Sequence, residues 1–246
     1  MKRDTHMPSV APLRNVRAFA AMLDQLVERH PSLPGIGVFH GPSGFGKTMA
    51  ATQAINRFNA ICVEVGFSWT SRVLVDAILR ELELARTPTV AEGVQTIIQA
   101  LGESGRPLII DEADHLLQKR TIELVREIHD RTGVPIALIG EEQMPDKMTR
   151  WERFHNRVLV WEPAQRADMA DLKLLAEIYC DSIEVDEMLL ARLLKKCAGV
   201  VRRLSVNLAR IREEALRRGN QRMTLADWGD QPLWTGQHTT LARRAS

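Results

Sequence analysis

The chain has 246 residues, 45% of them hydrophobic, enough for one large α/β domain or a core with a small satellite. A formal net charge of +2 announces no nucleic-acid partner by itself, and three widely spaced cysteines, Cys62, Cys180 and Cys197, form no CxxC pair. That spacing argues for a reducing compartment and against a disulfide framework or a zinc site. No stretch approaches the roughly 18 apolar residues of a membrane span, so the expectation is a soluble, cytoplasmic protein.

Residues 1–12 are polar, with Pro8 and Pro12, and are expected to be loose. An amphipathic helix follows, with Val16, Phe19, Ala20, Leu23 and Leu26 at helical spacing, and ends in the breaker-rich run 30–35. The apolar run 36–40 predicts a strand, and 49–55 is compatible with a helix. Residues 60–65 predict a second strand, 70–84 and 90–103 helices, and 107–110 a third strand. A charged helix is expected over about 119–131, a fourth strand over 134–140 and a fifth over 158–161. Strands alternating with helices imply a mostly parallel sheet covered on both faces. From about 163 the strand signals stop, and 166–179, 185–197 and 200–218 read as helices, with a last short one opening near Met223. The expected organisation is a loose segment 1–12, an α/β nucleotide-binding core 13–162, a small helical unit 163–230 and a flexible tail 231–246.

Between the first strand and its helix lies Gly41-Pro42-Ser43-Gly44-Phe45-Gly46-Lys47-Thr48-Met49, with the spacing of a phosphate-binding P-loop. Its glycines let backbone N–H groups turn toward a triphosphate, and the following helix N-terminus adds partial positive charge. Lys47 would reach the β- and γ-phosphates, and the Thr48 hydroxyl would ligate magnesium. About 60 residues later, Leu108-Ile109-Ile110-Asp111-Glu112 delivers two carboxylates at a strand's C-terminal end, where ligands bind in such sheets. Asp111 would hold the magnesium, and Glu112 would orient and deprotonate the attacking water. The run Asp111-Glu112-Ala113-Asp114 also spells a helicase signature, but a chain of this length has no room for a second motor domain. Asp114 and His115 are expected to cap or decorate the next helix.

This constellation resembles the AAA+ ATPases over about residues 13–230, through the P-loop, the acidic strand end and a trailing helical region. The resemblance implies an AAA+ P-loop sheet sandwiched by helices and followed by an all-helical lid, with ATP and Mg²⁺ as cofactors. It implies an arginine finger, acting on a neighbouring subunit's ATP, in the run Arg150–Arg157. Arg153, before Phe154, is the best match and Arg150 and Arg157 are the alternatives; the bland reading is a salt-bridging helix end. Gly199-Val200-Val201-Arg202-Arg203 resembles the lid's sensor-2 motif, with Arg202 at the γ-phosphate-contacting position or else a surface arginine. A polar sensor residue usually ends the fourth strand, whereas Ile139 is followed here by Gly140-Glu141-Glu142. Either Glu141 takes that place or the role is missing, which implies slow hydrolysis stimulated by DNA or a partner.

Within the AAA+ proteins the chain is similar to the ATP-dependent transposition-target proteins of the phage Mu B type, through the Gly35–Gly44 run and the Leu138-Ile139-Gly140-Glu141 strand end. That type carries an N-terminal helix-turn-helix, and only about 12 residues precede the first helix here, which puts DNA contact on the ATPase module. The resemblance implies ATP-dependent assembly of rings or filaments on double-stranded DNA, target selection and stimulation of a transposase in a bacterial host. The lid supplies Lys195, Lys196, Arg203, Arg210 and Arg217 as candidate phosphate contacts, alongside Arg202, Arg212, Arg218 and Arg222, against Glu213 and Glu214. Such arginines are also what a solvated helix face carries. The alternative function is a helicase-loader-like or other protein-remodelling switch without intrinsic duplex binding. A P-loop kinase is disfavoured by the arginine-bearing glycine motif of the lid.

Overall fold

The computed structural model describes residues 12–118 and 121–236. The segment 1–12, apart from Pro12, and residues 237–246 of the expected tail lie outside the described residues. The chain divides into two compact units, Arg14–Gln165 and a second containing Arg166 onward.

The first unit is a five-stranded parallel sheet in the order β2-β3-β4-β1-β5, formed by β1 (Ile36–His40), β2 (Ile61–Glu64), β3 (Leu108–Asp111), β4 (Ile136–Gly140) and β5 (Val158–Pro163). Alternate residues of each strand face opposite layers, as the two-residue strand period requires. Ile36, Val38, Ile110, Ile136 and Leu138 join one core with Leu74, Ile78, Ile97, Val125 and Ile128. Those partners come from α3 (Ser71–Glu81), α4 (Val90–Ser104) and α6 (Ile122–Thr132). On the other face, Phe39 meets Phe19 of α1 (Arg14–Glu28) edge-on at 5.3 Å, and α1 packs beside α2 (Lys47–Phe58). Both faces being covered explains why β1, β3 and β4 read as unbroken apolar runs. This is the AAA+ P-loop NTPase architecture.

The charged helix expected over about 119–131 is α6, and a short helix without a sequence expectation, α5 (Asp114–Gln118), precedes it. Two short helices before β5, α7 (Met144–Met148) and α8 (Glu152–His155), had no sequence expectation. Each has one or two turns, too short for helical periodicity to register, and is fixed by burying Met144, Met148 and Phe154.

The second unit packs α9 (Met169–Tyr179), α10 (Glu187–Cys197) and α11 (Val201–Arg218) around Leu172, Leu175, Leu189, Leu193, Leu204, Leu208 and Ile211. Capping boxes at Asp168 and Thr224 start α9 and α12 (Leu225–Trp228). A two-residue parallel pair, β6 (Glu184–Val185) with β7 (Arg222–Met223), joins the ends. Within the segment from 231, Trp234 is tied to α11. Asn207, fully buried on α11, donates its amide to Trp234 O and accepts from Trp234 N, both at 2.8 Å. A buried amide must find partners, and the backbone of Trp234 supplies both. Among the described residues no helix is long and apolar enough to cross a membrane.

His129 on α6 is 6% exposed, and burial lowers its pKa because the charged ring would be stranded from water. The unfolded chain therefore takes up the proton first, and stability drops as pH falls through the ordinary histidine value of about 6.5 toward the depressed folded one. His129→Leu is expected to show a smaller loss of melting temperature than the parent over that acid interval, measured by thermal denaturation at a series of pH values.

Candidate nucleotide site

The loop 41–46 leaves β1, which lies between β4 and β5, and enters α2 at Lys47. Gly44 and Gly46 have φ of 82° and 83°, the left-handed region that suits glycine. Gly46 caps α2 with no side-chain hydrogen bond, so the first N–H groups of α2, from Lys47 to Met49, have no intrahelical acceptor. That is the arrangement of an anion cradle. Lys47 Nζ lies across the loop, donating to Gly41 O at 2.6 Å and Pro42 O at 3.1 Å, and burial lowers its pKa against the pull of Glu112 and Asp111. The same ammonium is positioned to exchange these carbonyls for phosphate oxygens.

Phe45, at the loop's tip, is buried, and its carbonyl accepts from Asn15 Nδ2 at 2.8 Å. Asn15 also donates to Gln165 O and accepts from Gln165 N, both at 2.8 Å. Sequence reasoning missed Asn15. Its signal was a polar residue inside the apolar stripe of α1, 5% exposed beside Val16 and Phe19.

Asp111 ends β3 and is 4% exposed. Its Oδ2 accepts from Thr48 Oγ1 at 3.0 Å and its Oδ1 from Glu112 N at 2.8 Å. A hydroxyl and a carboxylate together form a hard oxygen pair suited to magnesium. Among the described residues no group of three or more His, Cys, Asp or Glu could hold a metal alone, so an ion here would draw its other ligands from phosphate and water. Glu112 follows at φ 54°, a left-handed conformation rare outside glycine, and its carboxylate projects to the exposed side. Burial, then the neighbouring Asp111, raise its pKa, while Lys47 and His115 oppose the shift. A raised pKa is what a general base acting on water near neutrality requires.

Asp114 does more than decorate its helix. It is 5% exposed, and its carboxylate leaves α5 to accept from Glu141 N at 2.6 Å and to pair with Lys147 Nζ at 3.2 Å. A Cβ on Gly140 would stand 2.4 Å from Asp114 Oδ2 and 2.2 Å from Met144 Sδ. A side chain at position 140 would have to displace both, and Glu141 faces solvent beside Lys147 at 3.6 Å.

Of the finger candidates, Arg157 is bound to Asp130 at 2.7 Å. Arg150 and Arg153 are exposed, have no ion-pair partner among the described residues, and line an open cavity of about 1040 Å³ with Trp151, Lys147 and Asp114. In the second unit Arg202 lies exposed in the first turn of α11, where no acidic residue offsets the helix dipole. Lys195 and Lys196 are exposed in the last turn of α10, the end that favours cations. Arg203 is half-buried, Arg210 donates to Pro232 O, and Arg217 binds Glu214 at 2.6 Å. Asp181, Glu184 and Asp186 pair with Arg212 and Arg222, counter-charges that a reading of α11 alone did not include.

Residues 28–148 match a protein family described as AAA domain. No curated protein matches the chain in sequence. Among solved structures, the fold is similar to the Orc1 protein of Aeropyrum pernix in complex with DNA, with TM-score 0.63 and 17% identity over 89% of this chain and 65% of that one. It is similar to a Walker-type ATPase of Pyrococcus abyssi, with TM-score 0.61 and 16% identity over 82% and 67%. Cdc6p from Pyrobaculum aerophilum gives TM-score 0.59 and 16% identity over 89% and 66%. The chain thus spans 65% of the length of the Orc1 protein, and at these identities the likeness is one of fold. Residues 28–148 are thus similar to an AAA domain, the likeness to the solved structures is one of P-loop fold, and neither lends support to the Mu B type specifically.

Two variants test the carboxylate arrangement. Asp114→Ala leaves the part-buried Glu141 N–H without its charged acceptor and is expected to lower stability by about 1 kcal/mol in denaturant unfolding. Glu112→Gly relieves the left-handed strain that Glu112→Gln keeps, and should be more stable than Glu112→Gln by up to about 1 kcal/mol.

Proposed function

We propose that this chain is an ATP-dependent ATPase that binds duplex DNA without sequence preference, oligomerises on it, and delivers target DNA to a transposase. The observation that carries the ATPase part is the junction of Lys47, Thr48, Asp111 and Glu112 at the C-terminal end of the sheet's strands. The open N-terminus of α2 and Lys47 would bind the phosphates, and Thr48 with Asp111 would hold the magnesium. Bound magnesium supplies charge stabilisation to phosphoryl transfer. Glu112 would take the proton from the attacking water, and the raised pKa suits that role. Arg153 or Arg150, exposed and unpaired among the described residues, would complete the site of a neighbouring subunit, and Arg202 would read the γ-phosphate from the lid.

The DNA part is supported by exposed Lys195 and Lys196, and by the DNA complex of the structurally similar Orc1 protein. The transposition part rests on the sequence resemblance to the Mu B type alone. The ion pairs that engage Arg212, Arg217 and Arg222 favour a second reading, a helicase-loader-like switch that acts on protein without intrinsic duplex binding.

Binding to a long random-sequence duplex with ATP, ADP or no nucleotide, at two salt concentrations, separates the two. The DNA reading expects tight, salt-sensitive binding with ATP only, lost in Lys47→Ala and prolonged in Glu112→Gln, whose hydrolysis falls by about 10²–10⁴-fold. Nucleotide-indifferent binding, or none, would leave the protein-directed switch.

A further inference from the structure

Arg150 and Arg153 are exposed on either side of Trp151 and line one open cavity. Arg153 lies on α8, which has four residues, too few to hold a shape alone. The direction in which Arg153 points is therefore set by what grips its neighbours. Phe154, the next residue, is fully buried in the core that α3, α4 and α6 share with the sheet, and this fixes how deep the turn sits. One point of attachment still leaves the turn able to pivot.

Two further grips lie on its C-terminal side. The His155 ring rests near Trp161 of β5, with centroids 5.2 Å apart. Arg157 is held twice. Its carbonyl accepts from Ile36 N at 3.1 Å, which ties it to β1. Its guanidinium meets both carboxylate oxygens of Asp130 on α6, Nε to Oδ1 at 2.7 Å and Nη2 to Oδ2 at 3.4 Å. Arg126, one turn earlier on α6, donates Nη1 to the same Oδ2 at 2.8 Å and Nε to Glu123 Oε2 at 2.8 Å. An isolated surface pair contributes little, but a carboxylate that is only 24% exposed and grips two guanidiniums makes a network of fixed geometry. Burial opposes the Asp130 charge, and Arg157, His129 and Arg126 outweigh it, so its carboxyl stays below the ordinary value. The far end of the network returns to the cavity, which Glu123 lines alongside Arg150 and Arg153.

We infer that Asp130 is the positioning residue for the arginine that completes a neighbouring subunit's nucleotide site: through Arg157 it locks α8 to α6 and keeps Arg153 aimed outward. This rests on the reading of an ATPase whose arginine acts between subunits, and it adds what orients that arginine. It also gives Arg157, the third arginine of the run, a task of its own. The geometry selects Arg153 over Arg150, because Arg153 sits inside the gripped turn while Arg150 lies ahead of it, between α7 and α8. Aiming one guanidinium at a neighbour's phosphate is a proximity effect, in which a misplacement of about 1 Å costs up to about 10²-fold in rate.

The test measures hydrolysis at saturating ATP, with random-sequence duplex present, and separately the affinity for a fluorescent ATP analogue. Asp130→Ala is expected to bind the analogue as the parent does and to lose about 10–10²-fold in hydrolysis, less than the roughly 10³-fold or greater loss of Arg153→Ala. Arg157→Ala should match Asp130→Ala, and the double variant should lose no more than either alone. Asp130→Glu, which keeps the charge, should recover most of the rate. Mixed subunits separate positioning from damage to the fold. Glu112→Gln subunits lack the catalytic base but carry an intact Arg153, and Asp130→Ala subunits are the reverse, so the mixture should exceed the sum of the two apart. A subunit whose own nucleotide site is disrupted would show no such recovery. Hydrolysis by Asp130→Ala equal to the parent's would overturn the inference. So would a mixture without recovery while the control, Glu112→Gln with Arg153→Ala, does recover. No recovery in that control would instead sink the between-subunit reading on which the inference rests.

Discussion

Everything at the nucleotide site depends on a buried carboxylate having partners. Asp111 is almost fully withdrawn from water, and a carboxylate so placed is tolerable only if its oxygens are hydrogen-bonded. One oxygen takes the Thr48 hydroxyl and the other the Glu112 amide, so a single side chain joins the start of α2 to the end of β3. Those two elements are not neighbours in the sheet, since β4 runs between β1 and β3. The bond therefore fixes the distance across an intervening strand. It also holds the backbone of Glu112 in a conformation that residue would not choose unaided.

The intervening strand has to yield room. β4 ends at Gly140, and the space above it is taken by the Asp114 carboxylate and Met144 sulfur. Asp114 in turn carries the Glu141 amide and the Lys147 ammonium, so the acidic run after β3 grips the end of β4 as well as α2. The departure from the usual strand ending thus has a steric cause. A side chain at 140 would require the Asp114 carboxylate and the Met144 sulfur to shift, and this chain keeps both in place with glycine.

The features legible in the sequence were those written in local chemistry. The P-loop glycines, the apolar runs of the strands and the amphipathic stripe of α1 each depend on residues a few positions apart, and all five strands fall where the apolar runs put them. Illegible features depend on contacts across long stretches of chain. Asn15 reaches Gln165, and Asn207 reaches Trp234; neither amide differs in sequence from one that faces solvent. Asp114 read as a helix-capping residue because its local position at the start of α5 suits that role, and only the fold reveals β4 in front of it. The two-residue pair β6–β7 was too short for any alternation to show.

The same limitation bears on charge. Counted along the sequence, the lid looks strongly basic; in the fold, Arg217 and Arg218 converge on Glu214, and Arg222 sits between Glu184 and Asp186. Exposed ion pairs of this kind contribute little to stability, but they do remove cations from the pool available to phosphate. Each phosphate neutralised adds about 0.9 to the salt slope on duplex DNA, so on the proposed reading a unit left with a few free cations, Lys195 and Lys196 among them, would bind weakly by itself. Tight binding by such a unit requires many copies engaging one duplex together, because linked contacts multiply where single ones do not. On the proposed DNA-binding reading, the sparse free charge of the second unit and nucleotide-driven assembly on DNA would be two sides of one requirement: the phosphate contacts that a single chain lacks would come from its neighbours, and Arg150 or Arg153, without an ion-pair partner among the described residues, would make that association depend on ATP.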